Sequence, residues 1–148
     1  MKRQVFGNDS WLQAAAFYLR YQIFVLEQGI PPELEFDELD RRKPDYFVIF
    51  DGQIPIATIR YQRDSKRADW IHPDRFCVAK AYRGQGIGRQ LLTDYEAKAQ
   101  KEGYLGSVLS AEASAQGFYE KLGYQPFGEP FYEDGILCIT MEKLFKDY

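Results

Sequence analysis

The segment Val78-Ala79-Lys80-Ala81-Tyr82-Arg83-Gly84-Gln85-Gly86-Ile87-Gly88-Arg89-Gln90-Leu91-Leu92 constrains the fold more than any other stretch of the chain. It leaves an apolar run, crosses a glycine-dense turn and enters a helix with Ile87, Leu91, Leu92, Tyr95 and Ala99 on one face. Glycine reaches torsions that other residues avoid and lets a ligand approach the backbone. The helix that follows offers unpaired N–H groups and the positive end of its dipole. Together these make a seat for a pyrophosphate. A purely structural strand-to-helix turn would use the same residues. The spacing is G-x-G-x-G, not the G-x-G-x-x-G of a dinucleotide fold. No Gly-Lys-Ser/Thr ending is present, so a nucleoside-triphosphate loop is excluded.

Around this turn the pattern gives one domain over residues 1–148, with no linker or repeat. After a first strand, Asn8-Asp9-Ser10 supplies N-cap residues for a helix. Leu12, Ala15, Ala16, Leu19, Ile23 and Leu26 recur at helical spacing to about Gln28, and Gly29 with Pro31-Pro32 ends the run. Residues 33–40 carry Glu33, Glu35, Asp37, Glu38 and Asp40 between Leu34, Phe36 and Leu39. They read as a solvated loop or short helix, or as an acidic rim over a cleft. Strands are expected over 46–50 and 54–61 around Asp51-Gly52, then over 75–79 and 104–110. A helix over 114–122 ends at Gly123, and strands over 124–132 and 136–144 flank Glu133-Asp134-Gly135. The order β-α-β-β-β-α-β-α-β-β is a mixed α/β domain, one sheet flanked by helices.

Composition narrows the function. Lys and Arg number 19 against 22 Asp and Glu, a formal charge of −3, which gives no basic footprint for nucleic acid. No apolar run approaches the ~20 residues of a membrane span, and no secretory segment opens the chain, so a cytoplasmic location is expected. Cys77 and Cys138 lie among apolar neighbours, and with His72 the only histidine no metal site is expected.

The pattern Arg83-x-x-Gly86-x-Gly88 resembles the signature of the GNAT superfamily of N-acetyltransferases. Downstream, Ala115-Gln116-Gly117-Phe118-Tyr119-Glu120-Lys121-Leu122-Gly123-Tyr124 resembles that family's helix-to-strand element. The resemblance covers nearly the whole chain. Leu19-Arg20-x-x-Ile23-Phe24-Val25-Leu26-Glu27-Gln28-Gly29-Ile30-Pro31, then Glu35-Phe36-Asp37-Glu38-x-Asp40, resembles the ElaA/YjcF-like branch, as does Phe131-x-x-x-Gly135-Ile136. Cys138 and Ser110 depart from that branch, where His and a larger polar residue are usual.

The resemblance implies the acyl-CoA N-acyltransferase fold, with a mostly antiparallel sheet splayed between residues 76–78 and 108–111. It implies acetyl-CoA as cosubstrate, with Cys77, Val78 and Ser110 along the pantetheine arm. Gly84, Gln85, Gly86, Ile87, Gly88 and Arg89 would hold the pyrophosphate, with the Arg83 and Arg89 charges assisting. A backbone N–H at Val78 would polarise the thioester. Tyr119 matches the family's proton donor; packing is its alternative task. An amine of pKa ~10.4 must lose a proton before attack, and Glu27, Glu35 and His72 are the base candidates, beside a water chain. The acceptor would be a small-molecule or peptide amine, cationic if the acidic segment faces it. A CoA-binding sensor without turnover and a partner-binding domain remain as alternatives, and exposed strand edges leave a homodimer open.

Overall fold

The apolar run Tyr46–Phe50 is buried along its whole length as the centre of strand β2 (Asp45–Asp51). A strand buried on both faces needs apolar residues without alternation, and the sequence supplies them. In the computed structural model, residues 1–146 are described. They divide into two units: Met1–Gln62 with Arg75–Tyr95, and Arg63–Asp74 with the chain from Glu96 onward.

In the first unit, β2 pairs antiparallel with β1 (Lys2–Gly7) and with β3 (Ile54–Tyr61). Strand β5 (Asp74–Val78) completes the order β1-β2-β3-β5. Pro55 sits at the start of β3, opposite Phe50, where the ladder register shifts. A residue without an N–H is tolerated there. Leu12, Ala15 and Ala16 of helix α1 (Ser10–Arg20) pack on Tyr46, Val48 and Phe50. The alternate residue Phe47 meets Tyr95 of helix α3 (Ile87–Lys101), ring centroids 5.9 Å apart.

Helix α1 departs from the expected single helix. Its N-cap position is Asp9, whose carbonyl accepts from the N–H groups of Leu12 and Gln13, while its side chain makes no cap bond. After Arg20 the chain winds as a π-helix, Tyr21–Glu27, closed by Gln28 N–H to Ile23 O at 3.0 Å. The wider winding rotates later residues off the apolar face, so Leu26, expected in the core, is 68 % exposed. The helix ends at Gly29, whose N–H donates to Val25 O, as anticipated.

In the second unit the sheet order is β4-β6-β8-β7, built from Trp70–Ile71, Gly106–Glu112, Ile136–Leu144 and Gln125–Glu133. β4 is parallel to β6; the other pairs are antiparallel. Tyr124 is fixed by hydrogen bonds with Glu96 Oε2 (2.7 Å) and Ser107 Oγ (2.8 Å). Helix α4 (Gln116–Lys121) follows β6 through a short 3₁₀ turn.

Two sequence expectations are corrected here. The strands hydrogen-bond as two four-stranded sheets rather than one; residues 76–78 and 108–111 are not paired with each other, in keeping with the expected splay. The two-residue strand β4 was not expected; its pattern is too short to register as alternation. Among the described residues, no helix is long and apolar enough to cross a membrane.

Candidate active site

Strand β5 ends at Val78, and the Ala79 N–H donates to Ile56 O at 2.8 Å. A 3₁₀ turn, Lys80–Tyr82, leads to Arg83 in extended conformation. Gly84 and Gly86 then take φ of +77° and +79°. No atom lies within 4 Å of a Cβ built on either, so the demand for glycine is torsional, not steric. Ile87 and Leu91 anchor the first turns of α3 in the core.

The first N–H of this helix to find an acceptor is that of Gln90, bonded to Gly86 O at 3.1 Å. Among the described residues, the backbone N–H groups of residues 84–89 donate to no protein acceptor. A row of unpaired donors at a helix N-terminus suits an anion with several oxygens. Arg89, exposed in that first turn, forms no ion pair among the described residues.

Arg83 is committed elsewhere. Its Nη1 and Nη2 donate to the two carboxylate oxygens of Glu27 at 2.7 and 2.8 Å, and its Nε donates to Val78 O at 2.8 Å. The hydrogen bond from Arg83 holds the Glu27 carboxyl below its ordinary pKa. Both residues were expected in direct roles, Arg83 on phosphate and Glu27 as a base. Instead they neutralise one another.

Glu35 is buried, and its carboxylate accepts from Arg20 Nε at 2.8 Å and lies 3.1 Å from Arg75 Nε. It belongs to a charge cluster in a segment that forms a short helix, α2 (Pro32–Glu35), and a 3₁₀ turn, Glu38–Arg42, as one of the two readings expected. Arg20, 0 % exposed, also donates to Asp40 Oδ1 and Oδ2 at 2.7 and 2.9 Å. Arg60 donates to Asp40 at 3.0 Å and to both oxygens of Asp37 at 2.8 and 2.9 Å. Arg75 reaches Asp37 at 3.2 Å, and Tyr46 donates to Asp40 at 3.1 Å. Three guanidinium groups thus meet the carboxylates of Glu35, Asp37 and Asp40, while Glu33 and Glu38 stay exposed on the short helical turns. Burial opposes the charge on Asp40, but hydrogen bonding and attraction from Arg20, with the Asp37 N–H and Arg60, hold its carboxyl well below the ordinary range. Burial pushes Glu35 up, against the pull of Arg75, Arg20 and Arg60.

In the second unit, His72 Nδ1 lies 2.9 Å from Asp64 Oδ1. Burial works against the Asp64 charge, yet His72 and the N–H groups of Arg67 and Lys66 hold this carboxyl below its ordinary value. Tyr119, half-buried in α4, meets Phe118 and Tyr124 edge-on at 5.1 and 5.8 Å. Its surroundings and the Glu112 carboxylate push the phenol pKa up, so it stays protonated at neutral pH. Ser110 is exposed on β6 opposite Thr140. Cys77 is buried beside Leu19 and Ile23, and that burial pushes its thiol pKa up. Cys138 is buried and free as well. Among the described residues no group of His, Cys, Asp and Glu could hold a metal ion.

Mostly antiparallel sheets flanked by helices, with a strand running through an open glycine loop into a helix, define the acyl-CoA N-acyltransferase fold. A candidate N-acetyltransferase from Lactobacillus plantarum superposes with a TM-score of 0.90 at 36 % identity, over 97 % of each chain. Escherichia coli ElaA shares the fold at a TM-score of 0.85 and 23 % identity, covering 97 % of this chain and 99 % of its own. The uncharacterized N-acetyltransferase YjcF of Bacillus subtilis is 33 % identical over 144 residues, 97 % of this chain and 99 % of YjcF. The acetyltransferase (GNAT) domain family matches residues 25–145. The chain belongs to that family and is an acyltransferase.

Proposed function

We propose that the protein transfers an acetyl group from acetyl-CoA to a primary amine by direct attack, within a ternary complex. The observation that carries this reading is the row of unpaired N–H groups on residues 84–89. They fit a pyrophosphate, and Arg89 adds a positive charge beside them. The coenzyme supplies the acetyl group as a thioester. The Val78 N–H is given the task of polarising the thioester carbonyl. Tyr119, protonated and with no hydrogen bond from its hydroxyl among the described residues, gives a proton to the departing thiolate sulfur.

The amine must first lose a proton. Glu27 is held ionised by Arg83, and Glu35 is buried between arginines. The Arg83 bonds make Glu27 a poor proton acceptor, and Glu35 is enclosed by Arg20 and Arg75 where an amine does not reach it directly. His72 is the base that this reading retains: with Nδ1–H donated to Asp64, Nε2 is the accepting nitrogen. The buried carboxylates give no support for a cationic acceptor, because Arg20, Arg60 and Arg75 neutralise Glu35, Asp37 and Asp40. A small-molecule or peptide amine fits equally. The NatC complex, which shares the fold at 17 % identity, is a complex bound to Gag peptide and CoA.

Thermal melts with acetyl-CoA, CoA, NAD and ATP test the assignment. A ligand at ~100 times its Kd stabilises by about 2.7 kcal/mol, a rise of about 5–11 °C for a domain of this size. The expected result is a shift with the CoA species alone, followed by thiol release with an amine panel that Tyr119→Phe slows. A shift with NAD or ATP, or none with CoA, refutes the reading.

A further inference from the structure

The branch signature leads through the π-helix to Glu27, a residue to which the transfer chemistry above gives no task. We propose that Glu27 is a positioning residue for the coenzyme loop: it fixes the Arg83 guanidinium, which in turn holds the Val78 carbonyl where the loop departs from β5. The inference rests on that loop being the coenzyme seat.

The geometry is over-determined at Arg83. Three donors meet three acceptors: both oxygens of Glu27 at 2.7 and 2.8 Å, and Val78 O at 2.8 Å. A bidentate pair fixes the plane of a guanidinium as well as its position. The Val78 carbonyl and the Ala79 N–H belong to one peptide group, and the Ala79 N–H is bonded to Ile56 O at 2.8 Å. Arg83 and β3 therefore hold that peptide from its two ends.

Beyond this peptide the loop is lightly restrained. Arg83 N–H reaches Lys80 O at 3.4 Å and Gln85 Nε2 reaches Ala81 O at 3.5 Å, both at the long limit of a hydrogen bond. Tyr82 supplies the other firm anchors, its N–H bonded to Ala79 O at 2.9 Å and its hydroxyl to Asp51 at 2.7 Å. Donors that must face one anion need a fixed backbone, and here the guanidinium supplies much of it. The π-helix points the same way. Its winding leaves Leu26 in solvent, at the cost of apolar burial, while the next residue, Glu27, reaches Arg83.

The pair is about 38–39 % exposed, so its loss should move folding stability little. Coenzyme affinity is the sensitive readout. Freeing Arg83 could instead let it reach the phosphates and tighten binding, so the sign of the effect decides. CoA is titrated calorimetrically into the wild type, Glu27→Ala, Glu27→Gln, Arg83→Met and the Glu27→Ala/Arg83→Met double variant. The expected result is a Kd raised about 3- to 10-fold by each single change, no further rise in the double variant, and an unchanged thermal midpoint. Without ligand, solvent exchange of the Arg83 Nε–H should quicken in Glu27→Ala. Unchanged or tighter CoA binding in the Glu27 variants, additive effects in the double variant, or unchanged Nε–H exchange would overturn the proposal. Wild type that fails to bind CoA sinks the functional reading itself, which separates that failure from this one.

Discussion

Replacing Asp40 with Asn tests the view that residues 33–40 are held by buried charge. The carboxylate of Asp40 accepts from Arg20 Nη1 and Nη2, Arg60 Nη1, the Tyr46 hydroxyl and the Asp37 N–H. Asparagine keeps the shape but removes the charge and turns one acceptor into a donor, aimed at guanidinium groups that can only donate. Arg20 and Arg60 would then stay buried with less compensation. Breaking such a pair costs about 3–5 kcal/mol, chiefly from the charge left behind. For a domain of this size each kcal/mol lowers Tm by about 2–4 °C, so a fall of about 6–20 °C is expected. The assay is thermal and urea unfolding of the two proteins in parallel. Glu38→Gln is the control, because Glu38 meets Arg41 in an exposed pair at 3.7 Å. It should change stability by no more than about 0.5 kcal/mol. An Asp40→Asn protein as stable as that control would refute the reasoning.

Acid should unfold the protein through the same cluster. Asp37 and Asp40 titrate below their ordinary values in the folded chain, so their stabilisation is complete above the unfolded pKa of ~3.9 and is lost as pH falls through the folded values. Glu35, pushed upward by burial, has the opposite sign and offsets part of the loss. The urea midpoint should fall below about pH 4, and less steeply in Asp40→Asn; an unchanged slope would contradict this. Gly86→Ala meets no steric obstacle but forces φ of +79° on a residue with a Cβ, so it should cost about 1 kcal/mol and weaken CoA binding in the melt assay. Cys77, buried with its thiol pKa raised, should react with a thiol reagent only after denaturation, as a timed colorimetric titration would show.

The sequence made the helix-and-strand frame legible where apolar residues follow one period. Strand β8 lies where the pattern placed it, and the Asp51-Gly52 and Asp134-Gly135 turns are marked by residues that accept positive φ. The glycine loop was legible for the same reason. The charge network was not, because a pattern of charges says nothing about partners distant in sequence. Arg20 meets Glu35 and Asp40 from 15 and 20 residues away, and Arg60 meets Asp37 from 23. One signal was present: Arg60 closes the apolar run Ile56-Ala57-Thr58-Ile59, and a charge in a buried strand needs a counter-charge. The π-winding left no such trace, since Leu26 fits the helical period that the chain then abandons.

The network also narrows the chemistry. A general base must be free to change its charge, and a carboxylate bound by guanidinium groups is not. Glu27 is spent on Arg83; Glu35, Asp37 and Asp40 are spent on Arg20, Arg60 and Arg75. The acidic character of residues 33–40, which suggests an attraction for cations when read as composition, is cancelled at Glu35, Asp37 and Asp40. Of the three base candidates, His72 alone keeps a nitrogen free of arginine, and Asp64 fixes the other nitrogen of its ring. If the imidazole is the base, the Tyr119 phenol need only donate, and its raised pKa keeps it protonated until the thiolate departs.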